Sequence, residues 1–207
     1  MKENAERISI NDITYNLSDL ETDCWNRLLT GANKSKDPFH TPCIATIVQK
    51  EVSMRTVVLR KAIPTERELR FHTDIRSKKW AELAHHNSIS ALFYDASSRI
   101  QLRVKGKAKL HVNNEITAEA WGKTTLSSRK CYLTEFSPSS LAASPTSGLA
   151  EHIEQENFTL LESEAGQKNF GIVSIIVESI DWLWLNHAGH RRAFFDYKNG
   201  LNQWMIP

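Results

Sequence analysis

Between Arg99 and Val112 the chain alternates with a period of two. Ile100, Leu102, Val104, Ala108, Leu110 and Val112 take one side, and Gln101, Arg103, Lys105, Lys107 and Lys109 take the other. This is the pattern of a strand with one buried face. Gly106 interrupts the apolar side and predicts a bulge or bend. Cys43–Gln49 and Met54–Lys61, rich in Val, Ile and Thr, predict a hairpin turning at Glu51–Ser53. Ile63-Pro64-Thr65 breaks the pattern, Glu68–Thr73 alternates again, Ile89–Tyr94 is a short apolar strand, and Phe170–Pro207 holds two or three more. Helical spacing marks Ser18–Gly31, with Leu20, Cys24, Trp25 and Leu28 as its stripe, Ser18 and Glu21 as a capping box, and Gly31 just past its end. Ser77–His86 places Trp80, Leu83 and Ala84 on one side. Asn114–Trp121 and Pro145–Glu164 are also helical by pattern, the second preceded by the Ser/Pro-rich Ser137–Ser147. The strands dominate, the helices are peripheral, and neither a repeat nor a dividing linker is present. The expectation is one α+β domain over residues 1–207, built on a closed or nearly closed antiparallel barrel.

Composition narrows the function classes. Hydrophobic residues make up 41% of the 207 and charged residues 24%, which excludes a disordered or collagen-like chain. Lys and Arg number 26 against 24 Asp and Glu, a net charge of +2 that argues against a dedicated nucleic-acid binder unless the cations share one face. Met1–Ser9 is polar, so no secretory signal is expected, and the most apolar run, Gly171–Leu185, is broken by Ser174, Glu178, Ser179 and Asp181 and cannot span a bilayer. Cys24, Cys43 and Cys131 have no Cys-x-x-Cys spacing. They predict ordinary thiols in a reducing cytoplasm, with no disulfide and no metal site.

Three segments could carry chemistry. Arg55-Thr56-Val57-Val58-Leu59-Arg60 brackets a strand with two cations: either solvated ends, or a phosphate grip, since a guanidinium fork suits phosphate oxygens. Arg55 and Arg60 differ by an odd number, so a regular strand would point them apart; a bulge, a strand end or a subunit interface would reconcile them. Thr73-Asp74-Ile75-Arg76-Ser77-Lys78-Lys79 opens a helix with Arg76, Lys78 and Lys79 at the end where cations are disfavoured, which a bound anion would offset. The polar side of Arg99–Lys109 is a solvated or edge face, or a nucleic-acid track; the lack of interleaved aromatics weighs against the track. His85-His86 suits a helix end, and His187-x-x-His190 is a weak metal spacing. No P-loop, Gly-x-Ser-x-Gly or Gly-x-Gly-x-x-Gly occurs.

Taken in order, four pieces resemble the pyridoxamine 5′-phosphate oxidase family of split-barrel flavoproteins: Arg55–Arg60, then Phe71-His72-Thr73, then Ser77-Lys78-Lys79, then Ile100-Gln101-Leu102-Arg103-Val104-Lys105-Gly106. The tail is similar more loosely, through Trp184, His190-Arg191-Arg192 and Trp204-Met205-Ile206-Pro207. The resemblance implies an antiparallel split barrel that binds FMN in a homodimer with a shared site. Arg55, Arg60, Ser77, Lys78 and Lys79 would hold the cofactor's phosphate, Thr56, Val57, Val58 and Leu59 between them would also be cofactor contacts, His72 and Thr73 would contact it at a strand end, and Gln101 would reach its ring, usually from the other subunit. Trp184 and Arg192 are further implied cofactor contacts. On the substrate side the resemblance implies Arg60, Trp121 and Arg129. The oxidase's Tyr…Ser-Arg-Pro-x-x-Ser pattern is replaced here by Trp121–Cys131, its Arg-x-His has no clean counterpart in His190-Arg191-Arg192-Ala193, and Met205 replaces the arginine of its final Arg-Leu-x-Pro. The expectation is therefore an FMN-dependent oxidoreductase acting on an unidentified small molecule. The alternatives are an authentic pyridoxamine phosphate oxidase and a non-catalytic flavin or haem module.

Overall fold

The computed structural model describes residues 7–10 and 12–207; the reading of Met1–Ser9 lies mostly outside them. A small hairpin, β1 (Ile8–Ile10) and β2 (Ile13–Tyr15), precedes helix α1 (Leu17–Asn33). The expected helix is present with a different cap. Asn16, two residues before Ser18, accepts from the Asp19 N–H at 2.9 Å while Asp19 accepts from the Asn16 N–H at 3.2 Å, a reciprocal box that starts the helix earlier. Gly31 lies within the last turn rather than beyond it. A Cβ there would come within 2.8 Å of Phe39, so its role is close approach.

Strands β3 (Cys43–Val48) and β4 (Glu51–Thr56) form the expected hairpin, but its turn is Gln49-Lys50, both at positive φ, with Val48 paired to Glu51. That is a two-residue turn made without the Asn-Gly that normally announces it. What reads as one strand over Met54–Lys61 is two, because the chain breaks at Val57-Val58 before β5 (Leu59–Ile63). There follow β6 (Glu68–Asp74), α2 (Lys78–His85), β7 (Ser88–Asp95), β8 (Ile100–His111), α3 (Glu115–Lys123) and α4 (Leu126–Arg129). The helix expected over Pro145–Glu164 is mostly irregular chain around two four-residue turns, α5 (Glu151–Glu154) and α6 (Leu160–Ser163). Glu156 at φ 61° stops the first, and Thr159 with Glu162 caps the second. The tail supplies β9 (Phe170–Trp184), β10 (Arg191–Asp196) and β11 (Leu201–Met205).

The nine strands β3–β11 form one antiparallel sheet in the order β4-β3-β7-β8-β9-β10-β11. The sheet forks at β9, whose first half pairs with β6 and, through it, β5, while its second half pairs with β10. The barrel is split, not closed. The core inside its curve includes Phe39, Phe71, Phe93, Leu102, Val104, Ile180, Trp182 and Phe195, and Leu20, Cys24 and Leu28 of α1 pack into it. The alternation of β8 is realised, and the ladder slips at Lys105/Gly106, where a Cβ on Gly106 would lie 2.1 Å from the Ile176 carbonyl oxygen. At the strand's end the parity reverses: His111 is buried against the Ser174 hydroxyl at 3.0 Å, while Leu110 is half-buried and Val112 exposed.

Candidate functional site: an anion cradle beside a basic cleft

At the end of β6 the chain turns through Ile75-Arg76-Ser77 into α2. Ser77 occupies the N-cap, but its hydroxyl donates to the Asp74 carbonyl at 2.6 Å and does not cap the helix. The N–H groups of Lys78 and Lys79 have no acceptor among the described residues, so the positive end of α2 is open. Lys79 bends back over it, with Nζ 2.8 Å from Thr73 Oγ1 and 3.4 Å from Ser77 Oγ. Burial, and then the neighbouring charge of Arg55, push the Lys79 ammonium below the ordinary lysine value; an anion here would relieve both effects. Arg76 is committed elsewhere. It pairs with Asp74 at 2.7 Å and donates to the Thr134 carbonyl and hydroxyl, tying the turn to the chain beyond α4. Lys78 is exposed.

Arg55 projects from β4 toward α2. Its Nη2 meets Glu82 Oε2 at 2.6 Å and Ser53 Oγ at 2.7 Å, and its Nη1 donates to Thr46 Oγ1. Glu82 also accepts from the Thr46 hydroxyl at 2.5 Å. The cradle thus offers an ammonium, a neighbouring guanidinium, two hydroxyls and free helix N–H groups. That donor set fits a phosphate monoester, and no cluster of metal-ligating side chains occurs among the described residues.

Arg60 stands elsewhere. The break at Val57-Val58, where the Val57 N–H donates to the Pro42 carbonyl at 3.0 Å, and the slip at Leu59/Lys61 separate it from the Arg55 strand. It lines a cleft of about 400 Å³ between β5, β6 and β9 on one side and α3 and α4 on the other. Lys61, Arg70, His72 and Ile172 complete the sheet wall, and Ile116, Glu119, Ala120, Lys123, Thr124, Thr125 and Ser128 the helical wall. His72 meets Phe170 edge-on at 4.8 Å. Burial, reinforced by the Arg60 charge, lowers its pKa to about 4, so the imidazole is neutral at pH 7. Arg70 holds Glu68 through two bonds, at 2.6 and 3.1 Å.

Trp121 and Arg129 lie behind the helical wall and do not line the cleft. Trp121 packs on Tyr132 and Phe170 and donates to Glu164 at 2.8 Å. Arg129, 5% exposed, lies over the Trp121 ring and donates to Ser163, Glu164 and the carbonyls of Trp121 and Thr124. In this structure the Arg129 guanidinium is engaged through all three of its nitrogens within the fold and ties α3 and α4 to Ser163 and Glu164.

Gln101, Trp184 and Arg192 neither line the cleft nor bond to the cradle. Gln101 sits on β8 opposite Tyr94 and Leu183, and Arg192 on β10 shares Asp181 with Arg103. By register this sheet face also carries Ile47, Val52, Met54 and Leu92, which are exposed. Trp184, opposite Ile100, points to the other side and packs on the core.

Residues 22–112 match the FMN-binding domain of the pyridoxamine 5′-phosphate oxidase family. This segment belongs to that family. The match runs from within α1 to the end of β8 and contains Arg55–Arg60, His72, Thr73, Ser77–Lys79 and Gln101; Trp121, Arg129, Trp184 and Arg192 fall outside it. No curated protein sequence matches the chain. Solved structures share its fold. A pyridoxamine 5′-phosphate oxidase-related FMN-binding protein of Nostoc punctiforme superposes with a TM-score of 0.71 at 17% identity, covering 89% of this chain and 96% of that one. PhzG of Burkholderia lata, solved with tetrahydrophenazine-1-carboxylic acid, gives 0.72 at 15%, covering 97% and 100%. ChuZ of Campylobacter jejuni gives 0.53 at 14%, covering 93% and 64%.

Within the family domain the structure brings Arg55, Thr73, Ser77 and Lys79 together at one end of β6, and Arg60 with His72 at the cleft. Sequence reasoning did not single out Thr46, Glu82, Lys61, Arg70 or Lys123. Two of them carried a signal: Glu82 stands three residues after Lys79, on the same helical face, and Arg70 stands two before His72, on the same side of its strand.

Proposed function

We propose that the protein is a homodimeric FMN-dependent oxidoreductase acting on a small organic molecule. The observation that carries this reading is the cradle of Thr73, Ser77 and Lys79 at the open start of α2, inside a segment that matches an FMN-binding domain. Lys79, Ser77, Thr73 and the α2 N–H groups would hold the phosphate. The chain from Arg55 to Arg60, five residues or at most about 17 Å, would lie along the cofactor toward the cleft. Bound there, FMN supplies the hydride or electron transfer. The chain's own part is to grip the phosphate, to present a neutral His72 and the Arg60 guanidinium beside the ring, and to seat the substrate between Ile172 and Ala120 away from water. PhzG's complex with a reduced heterocyclic acid supports a small-molecule substrate for this fold. The exposed sheet face with Gln101 and Arg192 is the surface through which a second subunit would complete the site. We read the whole chain as one such domain, acting in the cytoplasm; no helix among the described residues is long and apolar enough to cross a membrane. Authentic pyridoxamine phosphate oxidation is disfavoured, since Trp121 and Arg129 are engaged inside the fold.

The test is the absorption spectrum of the purified protein, with identification of whatever heat releases. A flavin spectrum and released FMN are expected, and bleaching by a panel of reduced heterocyclic acids and amines would identify the substrate. Released FAD, or a colourless protein that ignores added FMN, would refute the reading.

A further inference from the structure

Glu82 has no part in the reading above, yet it sits at the cradle's edge. Its side chain is 9% exposed, and it takes both the Arg55 fork at 2.6 Å and the Thr46 hydroxyl at 2.5 Å. It lies one helical turn from Lys79, which places the two on one face of α2. Both terminal nitrogens of Arg55 are taken up by Glu82, Thr46 and Ser53, and none donates to Thr73 or Ser77. A phosphate seated on Lys79 therefore has a fixed carboxylate as a near neighbour, and it meets an arginine whose charge that carboxylate already balances.

We propose that Glu82 is a specificity-determining residue that competes with the cofactor's phosphate for Arg55 and so sets how strongly the site favours phosphorylated over unphosphorylated flavin. The proposal rests on the FMN reading for the ligand's identity, but not for the competition itself, which any phosphate would feel. Like charges a turn apart in a partly buried site repel, and neutralising one strengthens binding of the other. The arrangement keeps the Arg55 guanidinium ordered and paired when no anion is present, at the expense of affinity when one is.

The test is titration of wild type and Glu82→Gln with FMN, with riboflavin and with inorganic phosphate, read as dissociation constants from flavin fluorescence and calorimetry. Glu82→Gln keeps the hydrogen-bonding shape and removes the charge. It should bind FMN and inorganic phosphate at least about threefold more tightly and leave riboflavin unchanged. Equal phosphate affinity in the two proteins overturns the proposal, as does a parallel gain for riboflavin. If neither protein takes up flavin but Glu82→Gln gains affinity for phosphate, the competition stands and the flavin reading falls. Should Glu82→Gln fail to fold, Glu82→Asp is titrated in its place, since it keeps the charge but draws the carboxylate back from the Arg55 fork. Glu82→Asp should bind phosphate more tightly than wild type, and equality there overturns the proposal too.

Discussion

Replacing Arg129 by Ala separates an anchoring arginine from a substrate-gripping one. Nη2 and Nε of Arg129 donate to the Trp121 and Thr124 carbonyls at 2.9 and 3.2 Å at the C-terminal end of α3, where the Trp121 carbonyl also accepts the Thr124 N–H. Its guanidinium also lies 4.5 Å over the Trp121 ring. Hydrogen bonds from a charged group contribute about 1.5–3 kcal/mol each. With water re-entering part of the void, the two carbonyl contacts and the ring contact together amount to about 3 kcal/mol. The half-exposed Glu164 partner adds nothing to this figure, since solvent takes over its contact. For a chain of this length, 3 kcal/mol lowers the melting temperature by roughly 6–12 °C. Urea unfolding followed by tryptophan fluorescence, alongside calorimetry, measures the loss. Arg129→Lys should fall between, because an ammonium cannot reach both carbonyls. The reasoning fails if Arg129→Ala is within about 0.5 kcal/mol of wild type while turnover of a substrate collapses.

Lys79→Met should weaken FMN about 10- to 100-fold, the loss of one charge-assisted contact, and leave riboflavin nearly unaffected; a fluorescence titration checks it. Gly106→Ala should destabilise the fold by about 1–3 kcal/mol, since its Cβ would strike the Ile176 carbonyl, as urea midpoints would report. His72 is held near pKa 4 against 6.5 in an unfolded chain. Its depressed value means the unfolded state takes the proton first, so its contribution is complete above pH 6.5 and falls by about 3 kcal/mol on going down to pH 4; His72→Phe should flatten that slope in unfolding curves collected across this range. The wild-type protein should sediment as a dimer and Leu92→Glu as a folded monomer, because Leu92 sits mid-face on the exposed sheet surface.

Most strands were legible because one face of each is buried, and alternation reports burial: β8 reads off Ile100 to Ala108 almost without error. Where burial does not alternate, the reading slipped. His111 goes inside because Ser174 offers it a hydrogen-bond partner, a tertiary fact that no local pattern contains. The Gln49-Lys50 turn is imposed by the pairing of the two strands it joins, on residues with no turn preference of their own. The long helix expected before β9 fails because its stretch lacks a continuous apolar stripe, and Leu160 and Leu161 lie in one short capped turn. At the site, the motif order located Lys79, Ser77 and Thr73, since an open helix start with surplus cations is written in consecutive residues. Arg55 could be located but not its partner, because Glu82 reaches it only once α2 is laid against β3 and β4. The internal contacts of Trp121 and Arg129 were hidden for the same reason: they depend on Ser163 and Glu164, more than 30 residues downstream.

β8 and β9 are adjacent, paired strands, yet the chain between them, residues 112–169, leaves the sheet and returns with α3 to α6. Everything that builds the phosphate cradle is encoded before this detour, and most of the cleft's outer wall within it. The family match stops at residue 112, where the detour begins. A segment whose two ends are already held side by side by a ladder can be exchanged or resized at little cost in loop closure. Selection could therefore reshape this cleft by rewriting one insertion, while the half that builds the cradle is inherited unchanged. For engineering, the same feature marks residues 112–169 as a cassette: grafts there should reshape the cleft before they disturb the cradle.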